Sequence, residues 1–199
     1  MLDIKGLTKK IKNNLILDEL DLEVQTGELI HVIGTNGSGK STLFKLICHI
    51  MEADAGEIAL SEQVTIGALI ENPYFMENSS AQSNLKFLAD INRQYDEKLI
   101  RQLLTQFDLD FDSPTRLKKY SLGMRQKVGI IQAIMENQNL ILLDEPTRGL
   151  DQKALTTFNR LIAELITEQK TIIIASHDNL SELNFTRKLR LENGKLVAI

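Results

Sequence analysis

The sequence predicts an α/β fold with a parallel sheet, and three observations carry that expectation. Apolar runs at Glu28–Ile33, Leu140–Leu143 and Thr171–Ala175 read as strands. Helical stripes lie between them, Leu43, Ile47 and Ile50 after the first run and Leu155, Phe158, Ile162 and Leu165 between the other two. The segment Gly34-Thr35-Asn36-Gly37-Ser38-Gly39-Lys40-Ser41-Thr42 joins the first run to the first stripe, so a glycine-rich turn links a buried strand to a helix starting near Lys40.

Along the chain, further strands are expected at Leu2–Leu7, over part of Leu15–Val24 and at Glu57–Leu60. From Ser79 to Phe107 the pattern is helical and polar-rich, Asp108 to Tyr120 reads as a loop around Pro114, and Ser121 to Met135 is helical again. This stretch reads as a helical insertion between strands. The segment Lys188–Ile199 alternates around Asn193-Gly194, a strong short-range hairpin signal. No internal repeat or low-complexity tract interrupts the sequence.

Composition bounds the function. With 199 residues, 43% hydrophobic and 25% charged, the chain suits one compact domain with a full core. A net charge of −4 argues against a general nucleic-acid surface, and Lys9-Lys10 is too small a basic cluster to change that. The single cysteine, Cys48, excludes an internal disulfide and is expected to pack as a small apolar side chain, compatible with a reducing compartment. The start Met1-Leu2-Asp3-Ile4-Lys5 lacks a long apolar run, and no stretch approaches the roughly 18 residues a membrane helix requires. Any membrane crossing is therefore expected of another chain.

Chemistry concentrates at the ends of the expected strands. In the glycine-rich segment, backbone N–H groups from Gly34 to Thr42 curl around phosphate oxygens while a helix N-terminus faces the same anion. Lys40 is placed to reach the β- and γ-phosphates and Ser41 to ligate Mg²⁺. The strand Asn139-Leu140-Ile141-Leu142-Leu143 ends in Asp144-Glu145-Pro146, and parallel sheets bind ligands at that edge. Asp144 is expected to hold Mg²⁺ through its water shell and Glu145 to deprotonate an attacking water. Alone, such a pair reads as a cap before a turn; beside a phosphate-binding loop the chemical reading takes precedence. His177, in Ala175-Ser176-His177-Asp178, emerges at the same edge, where a neutral imidazole suits a γ-phosphate oxygen. His31 and His49 are assigned to packing or surface.

Tyr120-Ser121-Leu122-Gly123-Met124-Arg125-Gln126 resembles the signature of ATP-binding cassette (ABC) ATPases, usually Leu-Ser-Gly-Gly-Gln. With Gly149-Leu150-Asp151 as D-loop and His177 as switch histidine, the resemblance spans essentially the whole chain in the family's order. It implies a P-loop NTPase with a RecA-like core, a parallel sheet, an N-terminal antiparallel β portion and a helical signature subdomain. One domain over 1–199 would divide into a core of about 1–72 and 137–199 and a helical part of about 73–136. ATP and Mg²⁺ are the implied ligands, with Glu145, His177 and Lys40 catalytic and Ser41, Asp144 and Glu71 around the metal. Ser121 and Gly123 would contact the γ-phosphate held by a second subunit, in a head-to-tail dimer that Asp151 helps to link.

Three departures point to a subgroup. Leu122 and Met124 replace signature residues, and Glu71, in Ile66-Gly67-Ala68-Leu69-Ile70-Glu71-Asn72-Pro73, stands where most members carry the Q-loop glutamine. Both are similar to the bacitracin-resistance and lantibiotic-immunity exporters, whose membrane spans belong to a separate permease chain. The ATPase would then sit at the cytoplasmic face of the membrane. The third is Ile11, about where an aromatic ring usually stacks on adenine. The alternative is a soluble ABC-type ATPase serving translation, repair or assembly. A GTPase or nucleotide kinase shares the loop, but the Asn-Lys-x-Asp guanine-reading motif is absent.

Overall fold

The computed structural model describes residues 1–177 and 180–199, so Asp178 lies outside it. The first strands separate water from core by side-chain alternation. β1 (Leu2–Ile11) buries Leu2, Ile4 and Leu7, and pairs antiparallel with β2 (Asn14–Val24), which buries Leu17, Leu20, Leu22 and Val24. β1 also pairs antiparallel with β4 (Ala55–Leu60), giving a three-stranded sheet in the order β2-β1-β4.

The second sheet is buried on both faces at its centre, where three strands are accordingly mostly apolar. It comprises β5 (Ile66–Leu69), β6 (Leu140–Asp144), β7 (Thr171–Ser176), β3 (Leu29–Ile33), β8 (Arg187–Glu192) and β9 (Lys195–Ala198), in that spatial order. Every pairing is parallel except the last hairpin. Its turn places Asn193 at φ 50° and Gly194 at φ 77°, as a two-residue hairpin turn requires.

Alternation in the central strands feeds two cores. Leu140, Leu142, Ile173, Ala175, Ile30 and Val32 face the antiparallel sheet across α1 (Lys40–Ile47), whose Leu43, Phe44, Leu46 and Ile47 are buried between the two layers. Ile141, Leu143, Ile172, Ile174 and Leu29 face the opposite layer. There α2 (Ala81–Ile91), α3 (Glu97–Gln106), α4 (Leu122–Ile134) and α5 (Gln152–Thr167) share one apolar cluster with the sheet. Among the described residues no helix is long and apolar enough to cross a membrane.

Two expectations at the level of elements are corrected, one is refined and one strand is added. The stripe after the loop ends at Ile47, because His49 adopts φ 55° and the chain leaves the helix, leaving Ile50 68% exposed. The pattern over Ser79–Phe107 is two helices, broken where Arg93 adopts φ 57°. The expected loop at Asp108–Tyr120 contains a 3₁₀ turn at Leu117–Lys119. Ile66–Leu69 is a strand that the apolar pattern did not announce. Cys48 is partly buried as expected, and burial pushes its thiol up to about 11.

Candidate functional site

Four consecutive strands of the parallel sheet, β5, β6, β7 and β3, deliver their carboxyl ends to one edge, and each end is followed by a chemistry-bearing residue. Glu71 follows β5, Asp144 and Glu145 lie at the end of β6, His177 follows β7, and the loop 34–42 follows β3. Register makes them neighbours, since Asp144 pairs with Ala175 and Ile33 with Ser176.

The loop curls as its glycines allow. Gly37 and Gly39 adopt φ 82° and 106°, Ser38 N–H donates to Thr35 O at 3.1 Å, and α1 begins at Lys40. Lys40 is 5% exposed and folds back over the loop, donating from Nζ to Gly34 O at 2.6 Å and Thr35 O at 3.2 Å. Its Nζ also lies 3.5 Å from Glu145 Oε1. Thr42 continues the helix.

One turn of hydrogen bonds ties the loop to the acidic strand end. Ser41 Oγ donates to Asp144 Oδ2 at 2.5 Å, and the Glu71 backbone N–H approaches the same oxygen at 3.4 Å. Asp144 is 3% exposed, and burial raises its pKa above the ordinary carboxylate value although both hydrogen bonds pull the other way. The Glu71 carboxylate turns outward and meets Lys45 Nζ on α1 at 2.6 Å. Glu145 Oε2 is 2.8 Å from His177 Nδ1. Behind it, His31 is fully buried, hydrogen-bonded through Nε2 to Ser176 Oγ at 2.7 Å and stacked on Phe185 with ring centroids 4.5 Å apart. His49 is exposed, so both histidines fall where packing or surface assigns them.

Three adjoining cavities open on this edge. One of about 380 Å³ is lined by Ile11, Ile16, the loop from Asn36 to Thr42, Glu71, Asp144 and Glu145. A second of about 710 Å³ lies between the loop, His177 and the β8–β9 hairpin. The third, about 250 Å³, lies beside Ser41, Asp144, Glu145 and Gln126. Ile11 thus borders the same space as the phosphate loop, 39% exposed, with Ile16 beside it.

Ser121, Gly123 and Asp151 line none of these cavities and occupy one neighbouring ridge. Ser121 caps α4 by accepting from Met124 N–H, and Asp151 caps α5 by accepting from Ala154 N–H at 2.8 Å. That bond, more than the approach of Lys127 at 3.8 Å, holds the Asp151 carboxyl below its ordinary pKa. Gly123 must be glycine, because a Cβ there would stand 2.3 Å from Gly149 O. Two residues escaped the sequence reading. Gln126, 3% exposed on α4, donates from Nε2 to Glu145 O at 3.0 Å, and Lys45 partners Glu71. A glutamine at the end of the signature segment was the signal available for the first.

The geometry suits a nucleoside triphosphate with a divalent ion. Buried oxygens lacking a hydrogen-bond partner gather where such a group would lie, namely Ser38 Oγ, Asp144 Oδ1 and Glu145 Oε1. Ser41 Oγ and the Asp144 carboxylate meet at the end of the loop, and Mg²⁺ is an ion usually held by one or two protein oxygens with phosphate and water.

Comparison with known proteins agrees in kind. Residues 17–148 match the family model for the ABC transporter. The chain is 32% identical, over its whole length and 68% of that protein, to an uncharacterized ABC transporter ATP-binding protein, YdbJ, of Bacillus subtilis. It is also 32% identical, over 89% of its length and 80% of that protein, to the lantibiotic transport ATP-binding protein SrtF of Streptococcus pyogenes. Its fold superposes with a TM-score of 0.87 and 26% identity on a solved ATP-binding subunit of an ABC transporter, covering 98% of this chain and 88% of that one.

Proposed function

The chain belongs to the ABC transporter family, and from that premise we propose that it binds and hydrolyses ATP as the nucleotide-binding subunit of an exporter. One observation carries the reading: the loop 34–42, the Ser41–Asp144 bond and the Glu145–His177 pair meet at one sheet edge. Gly34, Thr35, Asn36, Gly37, Ser38, Gly39 and Thr42 cradle the phosphates through the loop backbone. Lys40 Nζ exchanges its carbonyl contacts for β- and γ-phosphate oxygens and neutralises their charge. Ser41 and Asp144 hold Mg²⁺, with Glu71 nearby to turn inward from Lys45. Bound Mg²⁺ supplies charge neutralisation on the β- and γ-phosphates. Glu145 accepts a proton from the attacking water at a carboxylate oxygen, and the His177 ring, which lies against that carboxylate through Nδ1 here, turns an N–H to the γ-phosphate when the triphosphate binds.

Ser121 and Gly123 act in trans, completing the phosphate site of a second copy, with Asp151 at the junction. The likeness to SrtF supports an exported antimicrobial peptide or similar amphipathic compound. A separate permease chain crosses the membrane, docks on the helical part of about 73–136, and keeps this subunit at the cytoplasmic face. Glu145→Gln should retain ATP binding while turnover falls by about 10²–10⁴-fold, and Lys40→Ala should lose binding as well. Steady-state phosphate release and nucleotide titration measure both. Glu145→Gln turning over at the unmodified rate would exclude Glu145 as the base.

A further inference from the structure

We infer that Gln126 is a positioning residue for hydrolysis, pinning the backbone of Glu145 so that its carboxylate faces the attacking water. The inference rests on Glu145 being the general base. Glu145 adopts φ 46°, a left-handed conformation that a residue with a Cβ, here also preceding Pro146, enters only under constraint. Such backbone persists where the surroundings over-determine it. On the nitrogen side, Glu145 N–H donates to Ala175 O at 2.8 Å, tying it to β7. On the carbonyl side, Glu145 O accepts from Arg148 N–H at 3.2 Å, within its own turn, and from Gln126 Nε2 at 3.0 Å. Gln126 therefore supplies a side-chain bond that anchors the backbone of the turn to α4.

The rest of α4 reinforces the clamp. Residues 123, 126 and 127 fall on one face of the helix, and that face meets the segment 145–151 at three points. Gly123 lies against Gly149 O, Gln126 holds Glu145 O, and Lys127 Nζ lies 3.8 Å from Asp151 Oδ2. Gln126 borders the 250 Å³ cavity together with Ser41, Asp144 and Glu145, so its amide reaches the catalytic turn beside the Ser41–Asp144 contact. Without that donor the carbonyl loses its anchor, the turn relaxes toward ordinary φ, and the carboxylate moves off its line while the phosphate-binding loop stays intact.

The test uses purified full-length protein and two substitutions, with Glu145→Gln alongside. Gln126→Leu keeps the bulk and removes the donor; kcat should fall by roughly tenfold or more, with KM for ATP within about twofold. Gln126→Glu should be impaired near pH 8, where an ionised carboxylate confronts the Glu145 carbonyl. It should recover relative to the unmodified protein toward pH 6, where the protonated acid donates again. The charged groups facing position 126 across the cavity are Asp144, Glu145, Glu71 and Arg148; the three carboxylates keep an introduced acid protonated to higher pH. The Gln126→Leu ratio should stay flat with pH, as a packing defect would. Unchanged kcat in Gln126→Leu, a loss confined to KM, or a flat Gln126→Glu ratio would each overturn the inference. Full turnover by Glu145→Gln would instead strike the general-base reading itself.

Discussion

His31 and Ile11 show how differently single residues announce themselves. His31 sits in a strand whose other members are apolar, and burial together with the Lys188 charge lowers its pKa to about 4 from an ordinary 6.5. Its folded form is therefore the neutral ring. The stability this contributes is fully present above pH 6.5 and is lost as pH falls toward 4, by roughly 3 kcal/mol at the limit. His31→Phe keeps a ring against Phe185 and removes the titration, so between neutral and acid pH the unmodified protein should lose more of its stability to urea than His31→Phe. An identical pH slope for both would refute this. That His31 packs was legible from its neighbours in sequence; that it bonds Ser176 was not, because the pairing of β3 with β7 is decided by sheet order. The Lys45–Glu71 contact escaped for the same reason, the two residues arriving from α1 and β5. Ile11 borders the cavity at the phosphate loop, and if the base lies there, it and Ile16 offer an aliphatic wall without a π-face, where ring stacking contributes about 1–3 kcal/mol. ATP and GTP should accordingly bind within about tenfold of each other, which titration of both nucleotides measures. A hundredfold preference for ATP would mean that another side chain reads adenine.

Elements with strong periodicity were legible, and those set by long-range packing were not. β6 and β7 are continuous apolar runs, and α5 carries a clear stripe, so composition alone locates them. β5 has four residues, among them Gly67 and Ala68, and becomes a strand only because β6 offers it a parallel edge. Ile50 continued the stripe of α1 in spacing but not in space, since the helix stops first. Asp151 carries a distinction worth measuring. As the N-cap of α5 its oxygen serves Ala154 N–H, a role asparagine fills equally well. Asp151→Ala should cost about 1 kcal/mol in thermal or urea unfolding, whereas Asp151→Asn should leave stability within a few tenths. If the carboxylate also links two subunits, Asp151→Asn should slow ATP turnover despite its intact fold. Full turnover in Asp151→Asn would restrict the residue to capping.

On the scale of the whole molecule, the order of the motifs was legible from the residues, and their division into two groups only through the family resemblance. Loop 34–42, Asp144, Glu145 and His177 converge, while Ser121, Gly123 and Asp151 form a ridge of their own around α4 and Gly149. The N-terminus of α4 carries unpaired backbone donors and positive dipole character, yet borders none of the three cavities at the phosphate loop. Leu122, where ABC relatives usually carry glycine, is 47% exposed beside it. A second copy, docked head to tail, resolves both features: its bound triphosphate would meet the α4 N-terminus, and Leu122 would leave water with a gain of about 1.5–3 kcal/mol if fully buried. The docking must then depend on nucleotide, because a phosphate loop and a facing α4 N-terminus, both of positive dipole character, offer little attraction without the anion between them. ATP added to Glu145→Gln, which binds without turning over, should shift light scattering from monomer to dimer. Adding Ser121→Arg to that background should prevent the shift by placing a long side chain where the γ-phosphate is sandwiched, while ATP affinity of the monomer stays unchanged. A dimer that forms as well without nucleotide, or with Ser121→Arg, would mean that α4 meets something other than a second bound ATP.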